Sequence, residues 1–295
     1  MDQAERLRSL VNQGPIQTAA SKQIIAVASG KGGVGKTNFC VNFALELQKI
    51  HRSPVVLDVD LGFANVDVIL GERPRHTIED LLNGFSIWDV LQVSATGLPY
   101  LSGGAGLTEL HTLSRAQVLH LKEEFSRLDD RYDTVLLDCS AGHSTNSEQL
   151  IAAATQLIVL TTPEPTSIAD AYALLKMLSV NGQLPQVVTV VVNRASGIVE
   201  AKLAADKLKL VAAKFLGVNI DILGFILEDD AVPQAVMAQT ALLLKYPHSK
   251  AASCIQQIAR NYLHIDERSE RRGFSKFLER LFGVYSHTQS EKFIS

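Results

Sequence analysis

Residues Gly30-Lys31-Gly32-Gly33-Val34-Gly35-Lys36-Thr37 read GxxxxGK[ST], a spacing whose chemistry is phosphate binding. Glycines let consecutive backbone amides turn inward around phosphate oxygens, and a helix starting at Thr37-Asn38 adds the positive end of its dipole. Lys36 can neutralise β- and γ-phosphate charge, and the Thr37 hydroxyl is a Mg²⁺ ligand. Carboxylates recur where they could serve the same site. Asp58 and Asp60 lie two apart in LDVDLG, so on an extended backbone both point to one face. There they suit the water shell of Mg²⁺ and the orientation of an attacking water. Asp138 ends the apolar run VLLD, at the position of the carboxylate that holds Mg²⁺ through water, and Gly142 follows in DxxAG.

The elements that must position these groups are legible as short aliphatic runs at 24–29, 54–58, 134–138, 157–161, 187–192 and 222–227. Most lack polar alternation, as strands buried on both faces of a parallel sheet do. Helical stretches at 38–49, 115–128, 168–178 and 201–215 separate them. Strands alternating with helices predict an α/β fold with a doubly wound, mostly parallel sheet. Sites in such folds form at the C-terminal ends of the strands, which is where the loop and the aspartates fall.

The chain is 46% hydrophobic and 20% charged over 295 residues, so a sizeable core is expected and wholesale disorder is excluded. Lys and Arg number 28 against 31 Asp and Glu, a net −3 that argues against nucleic-acid binding by bulk electrostatics. Cys40, Cys139 and Cys254 lie far apart, without CxxC or metal-ligand spacing, which disfavours a disulfide framework, a zinc ribbon or a cluster carrier. No run of about 18 apolar residues exists, and the polar start MDQAERLR has no signal-peptide core. A cytoplasmic protein is expected, with residues 1–22 as a partner segment and linker, 23–263 as one nucleotide-binding domain, and 264–295 as a charged linker and tail.

The tail is amphipathic. In GFSKFLERLFGVY, Phe274, Phe277, Leu278, Leu281, Phe282 and Tyr285 form one apolar helical stripe over about 273–285. Arg271, Arg272, Lys276 and Arg280 oppose only Glu279, so the helix suits an anionic membrane surface. Permanent packing on the core is the alternative, and docking that gives way to release combines the two. At the other end, Ala4, Leu7 and Val11 share a face of a peptide too short to fold alone, suited to a partner's groove.

With its extra lysine, Lys31, the loop KGGVGKT resembles the deviant phosphate loop of the MinD/ParA family. DQAxxLR, DVDLGFANVD, TTPEPTSIADAY (161–172) and the amphipathic tail narrow the resemblance to the FlhG (FleN/YlxH) family of MinD-like regulators of flagellar number. The resemblance spans essentially the whole chain. It implies that Lys31 reaches across a homodimer to the partner's nucleotide, and that Asp60 positions or activates water. Asp58 would support the loop and metal shell, and Thr37, Asp60 and Asp138 would serve Mg²⁺. Gly142 would turn its amide to sense the γ-phosphate, and Asn193, with Glu228 near the same rim, would face adenine. ATP is preferred to GTP, since the nearest text to a guanine-reading NKxD is NRAS. The family further implies a slow ATPase whose ATP dimer associates peripherally with the inner face of the cell membrane. Asp2, Gln3, Ala4, Leu7 and Arg8 would stimulate the FlhF GTPase, and flagellar switch (C-ring) components or a flagellar transcription activator are further partners. One departure is the switch text DCSAG, where Cys139 stands in place of a smaller or oxygen-bearing residue. A ParA-type ATPase that positions DNA or cargo is the alternative from another functional class.

Overall fold

The computed structural model describes residues 22–60, 65–103, 113–142, 145–266, 273 and 276–282. Eight strands form one sheet: β1 (Gln23–Ser29), β2 (Pro54–Val59), β3 (Gln92–Val93), β4 (Pro99–Leu101), β5 (Thr134–Ala141), β6 (Gln156–Thr161), β7 (Val187–Ala195) and β8 (Asp221–Leu227). Their order is β3-β4-β2-β5-β1-β6-β7-β8, parallel throughout except for the antiparallel β3–β4 edge. Every residue of β1, β2 and β6 is buried, as their unalternating sequences require.

Helices cover both faces. On one side α1 (Lys36–Lys49) packs beside α11 (Lys250–Asp266), with Phe43 edge-on to Tyr262 at 5.5 Å between ring centroids. The short helices α2 (Val66–Leu70), α9 (Ala231–Met237) and α10 (Leu242–Lys245) contribute to that layer. On the other side lie α3 (Ile78–Leu82), α4 (Ile87–Val90), α5 (Arg115–Ser126), α6 (Thr145–Ala153), α7 (Pro165–Val180) and α8 (Ile198–Leu216). Local chemistry sets several boundaries. Ser114 and Gln117 close a capping box at the start of α5, Pro165 sits in the first turn of α7, and Gly217 (φ 67°) ends α8 in the left-handed region.

Two boundaries differ from expectation. The β3–β4 edge was not anticipated, because strands of two and three residues carry no readable period. The helix α11 continues to Asp266, beyond the expected break at 263, because Ile265 still packs against the core layer of α1.

The C-terminal stripe is not free. Residues 276–282 are helical, and Phe277, Leu278, Leu281 and Phe282 are at most 8% exposed. They join the apolar cluster that holds Leu137 and Cys139 of β5. In this conformation these four of the residues expected to meet a membrane face the protein instead. Phe274, Tyr285 and the N-terminal residues Asp2, Gln3, Ala4, Leu7 and Arg8 lie outside the described residues. Among the described residues no helix is long and apolar enough to cross a membrane.

Candidate nucleotide-binding site

The loop between β1 and α1 stands at the C-terminal edge of the sheet's centre. Gly33 (φ 76°) and Gly35 (φ 95°) occupy the left-handed region, which turns the backbone sharply into the first turn of α1. Gly30 is glycine for another reason: a Cβ there would lie 2.1 Å from the carbonyl oxygen of Asp170 in α7. Gly32 and Lys31 are exposed, Val34 and Lys36 are buried, and Thr37 and Asn38 are half-buried at the helix start.

Lys31 leans away from its own loop. Its Nζ donates at 2.9 Å to Oε2 of Glu164, the N-cap residue of α7. The contact draws the Glu164 carboxyl below the usual carboxylate range, through the hydrogen bond first and the lysine charge second. Both side chains remain roughly half exposed, so solvent screens the pair and leaves Lys31 free to change partner at little cost.

The three aspartates do gather beside Lys36 and Thr37. Asp58 and Asp138 are register partners on the neighbouring strands β2 and β5, and both are buried. Asp58 accepts the backbone amides of Asp60 (3.1 Å), Asn65 (2.8 Å) and Val66 (3.2 Å), so it ties the end of β2 to the first amides of α2. Burial outweighs those bonds and lifts its carboxyl to about 6. Asp138 is lifted to about 7 by burial and then by the neighbouring Asp58 charge, with Thr37, Lys36 and Cys40 pulling the other way. One of its oxygens, Oδ2, is buried without a hydrogen-bond partner. Asp60, half exposed, is raised by desolvation and held back by Lys36.

A buried carboxylate with an orphaned oxygen, beside a second carboxylate and a hydroxyl, is a donor set of the hard oxygen type that Mg²⁺ takes. Thr37, Asp138 and Asp60 are the residues that would hold the ion directly or through water. The ion would supply charge to the phosphate oxygens and relieve the repulsion between Asp58 and Asp138.

Gly142 (φ 83°) ends β5 with its amide given to the Ser29 carbonyl at 3.2 Å. Sensing a phosphate with that amide requires this bond to open.

Beside the loop is a cavity of about 510 Å³ whose walls include Asn38, Asn193, Glu228, Pro233, Val236 and Met237. Its volume falls within the usual range for small-molecule sites. Asn193 is at this cavity, as expected for a base contact, but its amide is engaged. Its Nδ2 donates to the Val34 carbonyl at 2.7 Å, and its Oδ1 accepts the Arg194 amide at 2.9 Å. In this conformation Asn193 therefore ties the phosphate loop to β7 rather than presenting a free amide to a base. Glu228 is exposed at the rim.

Two residues of this site escaped the sequence reading, Glu164 and Arg194. Arg194 has a left-handed backbone (φ 57°), and its guanidinium donates to the Gly33 carbonyl at 3.2 Å. Both residues come just after or within the C-terminal end of a strand, which was the available signal. Cys40 and Cys139 are wholly buried, and burial raises both thiols well above their usual range. Among the described residues no group of three His, Cys, Asp or Glu is placed to hold a metal ion.

The sheet, the glycine loop and the aspartates behind it define a P-loop nucleoside triphosphatase. Comparison with known proteins narrows the class. A family model described as ParA, NUBPL iron-transfer P-loop NTPase, matches residues 20–263. The chain is 37% identical over 238 residues to the antiactivator FleN of Pseudomonas aeruginosa, covering 80% of this chain and 85% of that protein. It is 28% identical to the flagellum site-determining protein YlxH of Helicobacter pylori, covering 88% and 89%. A solved structure of the septum site-determining protein MinD with Mg-ADP, from Pyrococcus horikoshii, matches with a TM-score of 0.65 at 22% identity, covering 83% and 98%. The chain belongs to the ParA family of P-loop ATPases, and within it is an FlhG- and MinD-like ATPase. Its reaction is ATP hydrolysis, and its ligands are ATP, ADP and Mg²⁺.

Proposed function

We propose that this chain is a MinD-like ATPase switch that controls the number and placement of bacterial flagella. Two of its relatives, an antiactivator and a flagellum site-determining protein, support the flagellar setting. In this reading ATP binding joins two copies, Lys31 leaves Glu164 for the partner's nucleotide, and the dimer binds the anionic inner surface of the cell membrane. Asp60 positions water for hydrolysis, which returns the chain to its monomeric form in the cytoplasm. Residues 1–12, with Asp2, Gln3, Ala4, Leu7 and Arg8, stimulate the FlhF GTPase. C-ring components or a flagellar transcription activator are further partners.

The observation that carries the switch is the docked C-terminal stripe. Burying Phe277, Leu278, Leu281 and Phe282 contributes about 2 kcal/mol each, about 8 together. Ordering the backbone and side chains of residues 276–282 costs about 1.5 kcal/mol per residue, about 10 in all. The two terms cancel within a few kcal/mol, so docking is marginal. A dimerisation step that favours the undocked state by that amount releases the helix. The stripe belongs to the same apolar cluster as Cys139, the residue after Asp138.

Sedimentation with anionic vesicles tests the reading. The full-length chain should pellet with ATP and not with ADP, and Phe277→Glu/Phe282→Glu should abolish pelleting. Pelleting that ignores nucleotide, or none at all, overturns the membrane switch. ATP-dependent binding to DNA in a parallel assay would favour a ParA-type positioning ATPase instead.

A further inference from the structure

Cys40 lies three residues after Thr37, on the face of α1 that meets β5. Its Sγ donates to Asp138 Oδ1 at 3.6 Å, and both residues are at most 1% exposed. The other oxygen of the same carboxylate, Oδ2, is buried without a partner. Thr37 acts on this carboxylate as well. A thiol is a weak, neutral donor. It fixes the rotation of a carboxylate without neutralising it, as a lysine or arginine at the same place would.

We propose that Cys40 is a positioning residue for magnesium: its thiol holds one oxygen of Asp138 so that the other is kept for the ion's water shell beside Thr37. The inference rests on the assignment of Asp138 to magnesium, and it goes beyond that assignment by giving the helix behind the loop a part in metal affinity. The reason is geometric. Asp138 is the only one of the three aspartates whose carboxylate accepts a side-chain donor from α1 among the hydrogen bonds of the described residues. Asp58 is oriented by three backbone amides instead. Losing the outer partner of a directly ligating carboxylate weakens metal affinity about 10- to 100-fold, and Cys40 stands one shell further out, so the low end of that range, about tenfold, is the ceiling here.

The test uses the full-length chain, a fluorescent ADP analogue and a magnesium titration, with binding rather than turnover as the readout. Cys40→Ala should raise the magnesium concentration at half-saturation about tenfold. Binding of the analogue without magnesium should stay at the wild-type level. Cys40→Ser, which keeps a donor, should stay within about threefold of wild type. Cys40→Val fills more of the space without donating, and replaces the alanine variant if the small gap unsettles α1. Wild-type magnesium dependence in the folded alanine or valine variant overturns the inference, as does a serine variant as impaired as they are. Asp138→Asn separates the two layers of the argument. If it too leaves magnesium dependence unchanged, the assignment of Asp138 falls and the role of Cys40 falls with it.

Discussion

Gly30→Ala tests whether the phosphate loop is shaped by its contact with α7 or only by its own turn. The added Cβ would lie 2.1 Å from the Asp170 carbonyl oxygen, 2.2 Å from its carbon and 2.7 Å from the Ala171 nitrogen. All three are backbone atoms of a sixteen-residue helix, so no side chain can swing aside. Ordinary contact begins near 3.4 Å, so the loop or the helix must retreat by more than 1 Å. Overpacking of this kind costs about 1–3 kcal/mol. In a domain of this size each kcal/mol lowers the melting temperature by about 2–4 °C, so a drop of about 5 °C is expected without nucleotide. A displacement of about 1 Å beside the reacting phosphates should also lower ATPase kcat/KM on the order of 100-fold. Gly33→Ala is the control, since among the described residues nothing beyond its chain neighbours lies within 4 Å of its Cβ and only left-handed strain of about 1–2 kcal/mol applies. Thermal melts and steady-state turnover decide the matter. Gly30→Ala with wild-type melting and wild-type turnover would refute the contact argument.

Asn193→Ala removes the 2.7 Å bond to the Val34 carbonyl and should cost about 1 kcal/mol in nucleotide-free melts. It should also narrow the preference for ATP over GTP in competition binding, and an unchanged preference would remove Asn193 from base recognition. Burial raises Asp58 to about 6 and Asp138 to about 7, so between about pH 4 and 7 the folded chain binds protons that the unfolded chain has lost. Their contribution to stability therefore declines as pH rises through that window. Carboxylates lowered by hydrogen bonds, such as Asp229, act in the opposite sense, so the informative quantity is the increment in melting temperature given by Mg-ADP. That increment should grow from pH 5 to pH 8, and a flat increment would contradict the buried-pair account. Lys31→Ala should keep ADP affinity near wild type and lose ATP-driven dimerisation in light scattering. A dimer that persists would leave the lysine without the role its family resemblance implies.

How far the sequence could be read follows from the physics of each element. The strands β1, β2, β5 and β6 announced themselves because burial on both faces demands unbroken aliphatic runs. The loop was legible because phosphate binding requires glycines and a lysine at one spacing. The pairing of Asp58 with Asp138 was not, since it arises from β5 lying next to β2, a neighbour relation that no local text carries. Glu164 and Arg194 were hidden for the same reason: their contacts with the loop span 133 and 161 residues of sequence. The amphipathic stripe near the C-terminus was plain as a pattern. A pattern shows that a face must be covered, and not by what; the structure covers this one with the protein's own core.

Release of the docked helix by nucleotide is measured directly by amide hydrogen exchange over residues 276–282. With ADP the segment should be protected by its packing. With ATP in the slow-hydrolysing Asp60→Ala variant, and without vesicles, protection should fall by at least an order of magnitude as the dimer forms. Equal protection in the two states would contradict the account, whatever the protein does at a membrane.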